Sequence, residues 1–165
     1  MNNPAPRKSL MRKRASRLAA AQALYSEALI EKSTLPALLG AQILQSWADS
    51  KLNDTDDLPH ATPPEAALLN TLIETAQKHE AQIETAIDAL ILPGWTKLRT
   101  SLPLLAVLRT FAAEVIAYPT RAAAMLVDEY TEVAAQLVTD EELQYAHKAF
   151  NLLLDAVRVA PATHG

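Results

Sequence analysis

The stretch at residues 102–117 constrains the fold more than any other part of the sequence. It reads LPLLAVLRTFAAEVIA, and its large apolar residues cover almost every face of a helix. A helix that is apolar all round lies in the centre of a protein, so other elements must surround it. Ser101 is predicted to cap the start of this helix, and Tyr118-Pro119-Thr120 is predicted to end it.

Composition predicts that the surrounding elements are helices too. Alanine and leucine dominate, whereas valine, isoleucine and aromatic residues are sparse, and this balance favours helix over strand. With 165 residues, 50% of them hydrophobic and only three glycines, the chain fits one globular domain. We therefore predict an all-α fold of six long helices, with room for a short seventh near Trp95.

Apolar spacing, prolines and capping residues predict where these helices begin and end. Residues 1–8 are predicted to be a flexible arm, with Ser9 as the N-cap behind it, and residues 51–63 an exposed loop. Pro93-Gly94 is the clearest internal boundary, and Thr139 with Glu142 forms a capping box. The predicted helices span residues 10–29, 35–50, 64–92, 102–117, 121–137 and 141–159.

Positive charge is concentrated in residues 7–29. Six of the chain's 15 Lys and Arg residues lie between Arg7 and Arg17, and the first acidic residue after them in this stretch is Glu27. Without these six residues, the chain has nine basic residues against 19 acidic ones. Such asymmetry is typical of an end of the molecule that binds a polyanion.

The basic run has four interpretations on charge alone. It resembles an organellar transit peptide in being Arg-rich and free of acids, although it continues into core-type sequence without a cleavage-like break. It could be a solvated charged face, or bind an anionic membrane, although Ala15, Ala19 and Ala20 offer little apolar area for that. Nucleic acid is the remaining and favoured partner.

The sequence offers little to catalysis or to metals. It has no cysteine, which removes thiolate ligands and nucleophiles and suits the cytoplasm, and no glycine-rich phosphate loop. No two of its four histidines are three or four residues apart. The acidic group Asp128, Glu129 and Glu132 is interpreted as a solvated face. We predict no cofactor, no metal, no membrane-spanning helix and no enzymatic activity.

Four segments, taken in order, resemble the NusB family of bacterial transcription antitermination factors. The first is the arginine-rich segment followed by Ala-Gln-Ala-Leu-Tyr at residues 21–25, and the second is Leu108-Arg109 with Glu114. Residues 127–129 read Val-Asp-Glu where the family has Ile-Asn-Glu. Residues 148–155 resemble the closing Lys-Phe-Val-Asn-Gly-Val-Leu-Asp.

The resemblance implies a fold of two roughly perpendicular helical bundles in a single domain, with a subdomain break near residues 93–94. It also implies a function without catalysis. The factor would bind boxA-type single-stranded RNA together with the ribosomal protein NusE, as part of the transcription elongation complex that makes ribosomal RNA.

The resemblance also predicts the residues of the site. Arg109 and Glu114 either bond internally or help to form the surface for NusE. Tyr25 either contacts RNA or closes the core, and Asn151 either contacts RNA or makes a buried hydrogen bond. The residues expected at RNA are Arg7, Lys8, Arg12, Lys13, Arg14, Arg17, Tyr25, Lys148 and Asn151.

The last helix departs from the family pattern. Residues 149 and 152 are Ala and Leu where the family has Phe and Gly, so an aromatic platform for a base is expected to be lost unless Phe150 replaces it. This departure motivates an alternative hypothesis. The chain would then be a diverged module for protein–protein contact that attracts RNA only non-specifically.

Overall fold

The fold is helical throughout the part of the chain that the computed structural model describes, which comprises residues 4–30, 36–53, 63–90 and 95–159. The elements in order are α1 (Pro4–Ile30), α2 (Pro36–Asn53), α3 (Ala66–Lys78), α4 (Glu80–Asp88), a 3₁₀ turn (Lys97–Arg99), α5 (Leu102–Ala117), α6 (Ala123–Ala135) and α7 (Asp140–Val159). The all-α prediction is confirmed.

Helix α5 lies at the centre, as its apolar sequence predicted. All its residues from Leu104 to Val115 are buried except Arg109, and it packs against α1, α3, α4, α6 and α7. The predicted cap is present, because Ser101 Oγ accepts a hydrogen bond from the backbone N–H of Leu104 at 3.3 Å.

The core consists of two clusters that share α1. The smaller cluster joins the small residues Ala19, Ala20 and Ala23 of α1 to α2 and α3. The larger cluster joins α4, α5, α6 and α7 to the Ala21 and Leu24 side of α1. Alanine on several faces of α1 lets helices approach it from several sides, so α1 is buried all round from Ala15 to Leu24 except at Leu18 and Gln22.

Several predicted boundaries are wrong. Helix α1 begins at Pro4 rather than after Ser9, so it includes much of the predicted arm, and residues 51–53 belong to α2 rather than to a loop. The predicted helix at 64–92 is two helices, because His79 leaves helical geometry with φ −106° and ψ 25°. The break at Pro93-Gly94 and most of the 51–63 loop lie outside the described residues.

An aromatic cluster fixes α7 against the centre. The ring of Phe150 lies 4.9 Å from that of Phe111 and 6.1 Å from that of Tyr130, centroid to centroid, and its side chain is fully buried. Nearer the start of α7, Tyr145 stacks on Trp95 at 4.5 Å. Within the described ranges, no helix is long and apolar enough to span a membrane.

Candidate nucleic-acid interface

The first turns of α1 extend beyond the packed core. All residues from Arg7 to Arg12 are exposed, Lys13 is half-buried, and full burial starts at Ala15. Four cations therefore lie on a short free segment of helix, and none of them pairs with a carboxylate among the described residues. We call this segment, residues 7–13, the outer basic segment.

Arg14 lies at the boundary between the outer basic segment and the core. Its Nε and Nη2 donate to the two carboxylate oxygens of Glu129 on α6, at 3.0 and 2.9 Å. The pKa of Arg14 is raised, first by this hydrogen bonding and then by the charges of Glu129 and Glu132. The Arg14 side chain is still 41% exposed to solvent in this pair.

Arg17 lies one turn further along α1 and is buried. Its Nε and Nη2 donate to the two carboxylate oxygens of Glu114 at 2.8 Å each. Its Nη1 lies 3.5 Å from Oε2 of Glu129, close enough for an ion pair but without hydrogen-bond geometry. Only 1% of the Arg17 side chain is exposed. The expectation that Arg17 belongs to an exposed phosphate-binding surface is therefore wrong.

Glu114 is the centre of a buried ion network. Besides Arg17, it accepts hydrogen bonds from Arg121 Nη1 and from the hydroxyl of Tyr130, both at 2.7 Å. Burial alone would raise the pKa of Glu114, but the hydrogen bonds from Arg17, Tyr130 and Arg121 outweigh it and lower that pKa. The burial of Tyr130 itself, together with the charge of Glu114, raises the pKa of Tyr130 well above its ordinary value.

This geometry assigns Arg109 and Glu114 to different networks. Glu114 is fully buried, so its direct contact with a partner protein is ruled out in this conformation. Arg109 instead pairs with Glu84 of α4, Nε to Oε1 at 2.6 Å, and Lys97 approaches the other oxygen of Glu84 at 2.8 Å. About a quarter of the Arg109 side chain is exposed, at 25%.

The two α7 residues expected at RNA lie on an exposed face. Lys148 and Asn151 are both exposed, and Asn151 Nδ2 donates to the carbonyl of His147 in its own helix at 3.1 Å. The alternative of a buried hydrogen bond for Asn151 is therefore wrong. His147 Nδ1 lies 3.4 Å from Thr131 Oγ1, which places this face of α7 beside α6.

Helix α6 separates the α7 residues from Arg14. Glu129 contacts α1 and Thr131 contacts α7. Positions i and i+2 of a helix point in directions about 200° apart, so α1 and α7 lie on opposite sides of α6. On the outward arc between these contacts, Asp128 and Glu132 are exposed. The prediction of a solvated acidic face holds for these two residues and is wrong for Glu129, whose side chain is 13% exposed.

Tyr25 lies far from the outer basic segment. It is half-buried and packs against the larger core cluster. Eleven residues separate it from Arg14, which corresponds to about 16 Å along the axis of α1. This packing supports the role of Tyr25 in the core, and its contact with RNA stays a prediction.

Comparisons with known proteins place this chain in a family. The model of the NusB family matches residues 14–146. The chain belongs to the NusB family. It is 30% identical over 139 residues to the transcription antitermination protein NusB of Hyphomonas neptunium, covering 82% of this chain and 84% of that protein.

Two further NusB proteins extend the comparison. The chain is 30% identical over 143 residues to the transcription antitermination protein NusB of Rhodopseudomonas palustris strain BisB18, covering 86% of this chain and 81% of the relative. The solved structure of T. maritima NusB matches with a TM-score of 0.64 at 19% identity, covering 87% of this chain and 90% of that chain, which supports the fold alone.

The structure shows the accessibility of the α7 residues that depart from the NusB pattern. Ala149 and Phe150 are both fully buried. Phe150 packs in the core, so it is no substitute platform for a base, and the expected loss of a base-stacking platform at Ala149 stays a prediction. Leu152, where the NusB pattern has glycine, is exposed at 41%.

Sequence reasoning missed the partners of the buried charges. Glu129, Tyr130 and Arg121 complete the network around Arg17 and Glu114, and Glu84 binds Arg109. A charged residue inside an otherwise apolar helix, such as Glu114, signals that a partner is needed. The sequence has no local signal for which distant residue is that partner.

Proposed function

We propose that this protein is an RNA-binding transcription antitermination factor that binds boxA-type single-stranded RNA together with NusE. The observation on which the proposal depends is the outer basic segment, which is a solvent-exposed, acid-free helical end on an otherwise acidic molecule. Membership of a family whose relatives are named transcription antitermination proteins supports it.

The outer basic segment is the proposed contact with phosphates. Its four cations have no competing carboxylate among the described residues, and Arg14 adds a fifth cation of reduced effect because Glu129 occupies one edge of it. Arg17 has no place in the phosphate contact, because both of its bonded nitrogens point at Glu114 in the interior.

Lys148 and Asn151 are proposed as a second, weaker contact on the far side of α6. RNA that touches both surfaces must cross the outward face of α6, past Asp128 and Glu132. Tyr25 has no assigned contact with RNA, since it packs in the core. For NusE, Arg109 with its bound Glu84 is the accessible part of the predicted surface.

Salt-dependent binding is the first test. About four phosphate contacts predict that log affinity falls with log salt with a slope near −3 for a single strand. Fluorescence anisotropy with labelled boxA-type RNA, with and without NusE, measures both affinity and slope. Replacing Arg12 and Lys13 by Gln should reduce the slope by about 1.4 in magnitude, at about 0.7 per lost contact.

A scrambled RNA of the same length tests specificity. Equal affinity for boxA-type and scrambled RNA in the presence of NusE would contradict a specific antitermination role. That result, together with a captured partner other than NusE, would favour the alternative of a NusB-fold module for protein–protein contact.

A further inference from the structure

Helix α6 combines two features that concern the proposed RNA surface. It holds Arg14 through Glu129, and it presents Asp128 and Glu132 to solvent beside that pair. We propose that these carboxylates restrain RNA binding, because they neutralise Arg14 and repel phosphate at the edge of the outer basic segment. This inference rests on the proposed RNA function and concerns the regulation of the same site.

The first step of the argument is the geometry of Arg14. Glu129 binds the Nε and Nη2 edge of its guanidinium, so a phosphate can reach only the outer edge. Glu129 cannot leave cheaply, since it also lies 3.5 Å from Nη1 of the buried Arg17. Arg17 keeps Glu114 as its main counter-charge, but its buried Nη1 has no hydrogen-bond partner and Glu129 is the carboxylate that faces it, which favours Glu129 staying in place.

The second step is the local balance of charge. The network and the outward face of α6 together contain three arginines, namely Arg14, Arg17 and Arg121, against four carboxylates, namely Glu114, Asp128, Glu129 and Glu132. This region is therefore net negative, although it adjoins the four cations of residues 7–13. The charge of Glu132 acts on Arg14 itself, as one of the causes that raise its pKa.

The third step is the position of the two exposed carboxylates. Asp128 and Glu132 are one turn apart on the arc of α6 that faces outward between its contacts with α1 and α7. Neither makes a hydrogen bond or an ion pair within the described residues. They stabilise no packed contact there, so neutralising them changes the field at the RNA surface while leaving the fold intact.

The test uses the full chain with the substitutions Asp128→Asn and Glu132→Gln, alone and together. Each should tighten binding of labelled boxA-type RNA by ~2- to 5-fold in low salt, since a charge about 8 Å from a phosphate in water shifts binding by roughly 2-fold per phosphate. The gain should shrink at about 1 M salt, where the screening length is only ~3 Å.

Glu74→Gln is the matched control. Glu74 is an exposed carboxylate on α3 whose neutralisation changes the net charge by the same amount. It lies near the other end of α1, since α3 runs beside α1 with Glu65 bonded to Ser16 and Gln77 bonded to Glu27. An equal gain in Glu74→Gln would overturn the proposal in favour of a general charge effect.

Arg14→Gln tests which cation is restrained. In the native background it should weaken RNA binding by less than ~2-fold, because Arg14 is already neutralised. In the Asp128→Asn/Glu132→Gln background the cost should be larger, because Glu129 is then the one remaining α6 carboxylate of the three that opposes the attraction of Arg14 for a phosphate. An equal cost in both backgrounds, or no gain from the α6 substitutions, would overturn the inference.

The restraint and the RNA function can fail separately. If the Arg12→Gln/Lys13→Gln variant loses affinity but the α6 variants bind as the native chain does, the RNA surface stands and the restraint is wrong. If the native chain binds too weakly to measure, the α6 variants must show measurable binding for the restraint to hold. A cooperative urea transition in each variant verifies that it is folded.

Discussion

The outer basic segment and the buried Arg17 network contain the same residue types on the same helix, yet they differ in nearly every physical respect. Arg12 is exposed and pairs with no carboxylate among the described residues, whereas Arg17, five residues later, is 1% exposed and bonded through two nitrogens to Glu114. One arginine-rich run therefore contains exposed cations, which we propose bind RNA, and an arginine that is buried in the fold. Its charge can only be interpreted together with its burial.

The two regions also differ in what a lost charge costs. An exposed ion pair contributes about 0–1 kcal/mol to stability, because water solvates each charge well when its partner is absent. Removing one member of a buried, hydrogen-bonded ion pair costs several kilocalories per mole, because the other member stays buried and uncompensated. The following substitutions use this difference.

The largest effect is expected for Glu114→Gln. The substitution keeps the shape of the side chain but leaves Arg17 buried with only Glu129 at 3.5 Å as counter-charge. We expect the free energy of unfolding to fall by about 3–5 kcal/mol. Urea denaturation followed by circular dichroism measures it, with Glu74→Gln as the exposed control. A loss below about 1 kcal/mol would contradict the central role of Glu114, because exposed ion pairs already contribute up to roughly that much.

Arg17→Gln and Arg12→Gln form a matched pair for the comparison. Arg17→Gln should cost about 2–4 kcal/mol of unfolding free energy, less than Glu114→Gln, because Glu114 keeps its bonds from Arg121 and Tyr130. Arg12→Gln should change it by less than about 0.5 kcal/mol and should instead weaken RNA binding. The opposite pattern, with stability lost at Arg12, would show that the assignment of inner and outer residues is wrong.

Acid should weaken the network. The pKa of Glu114 is lowered in the folded state, so its contribution is complete above the ordinary value of 4.5 and is lost as the pH falls from 4.5 through the lowered pKa. Glu84, whose pKa is lowered by Arg109 and Lys97 against the effect of burial, acts in the same direction. Urea midpoints between about pH 6 and pH 3 should fall more steeply for the native chain than for Glu114→Gln.

An effect on stability between those of Arg17→Gln and Arg12→Gln is expected at the boundary between the two regions. Arg14→Gln removes a pair in which the arginine is 41% exposed, so we expect a loss of about 0.5–1 kcal/mol in unfolding free energy. A value as large as that for Arg17→Gln would place Arg14 inside the network. A loss of RNA affinity equal to that of Arg12→Gln would place it in the outer basic segment.

Much of the fold could be predicted from local sequence. The buried centre at α5 and its Ser101 cap followed from apolar spacing and one capping residue, both of which act within a few residues. The break at His79 could not be predicted, because the apolar stripe of Leu68, Leu72, Ala76, Ile83 and Ile87 continues across it. No proline or glycine marks that position.

The site was predictable as a region but not residue by residue. The run of cations predicted a polyanion-binding surface at the end of α1, and the structure shows that these cations are exposed there, apart from the half-buried Lys13 and Arg14 and the buried Arg17. Lys148 and Asn151 stay predictions, on an exposed face of α7. Phe150 and Glu114 are buried instead, because packing against neighbouring helices, not residue type, sets their accessibility.

The sequence by itself determined that this protein is helical, that one helix is central and that one end is basic. These properties follow from side-chain periodicity and composition, which act over a few residues. Only the tertiary structure decided which arginines face solvent. Glu114 and Glu129 lie 97 and 115 residues from the arginines they bind, and only folding brings such distant charges within 3 Å of each other.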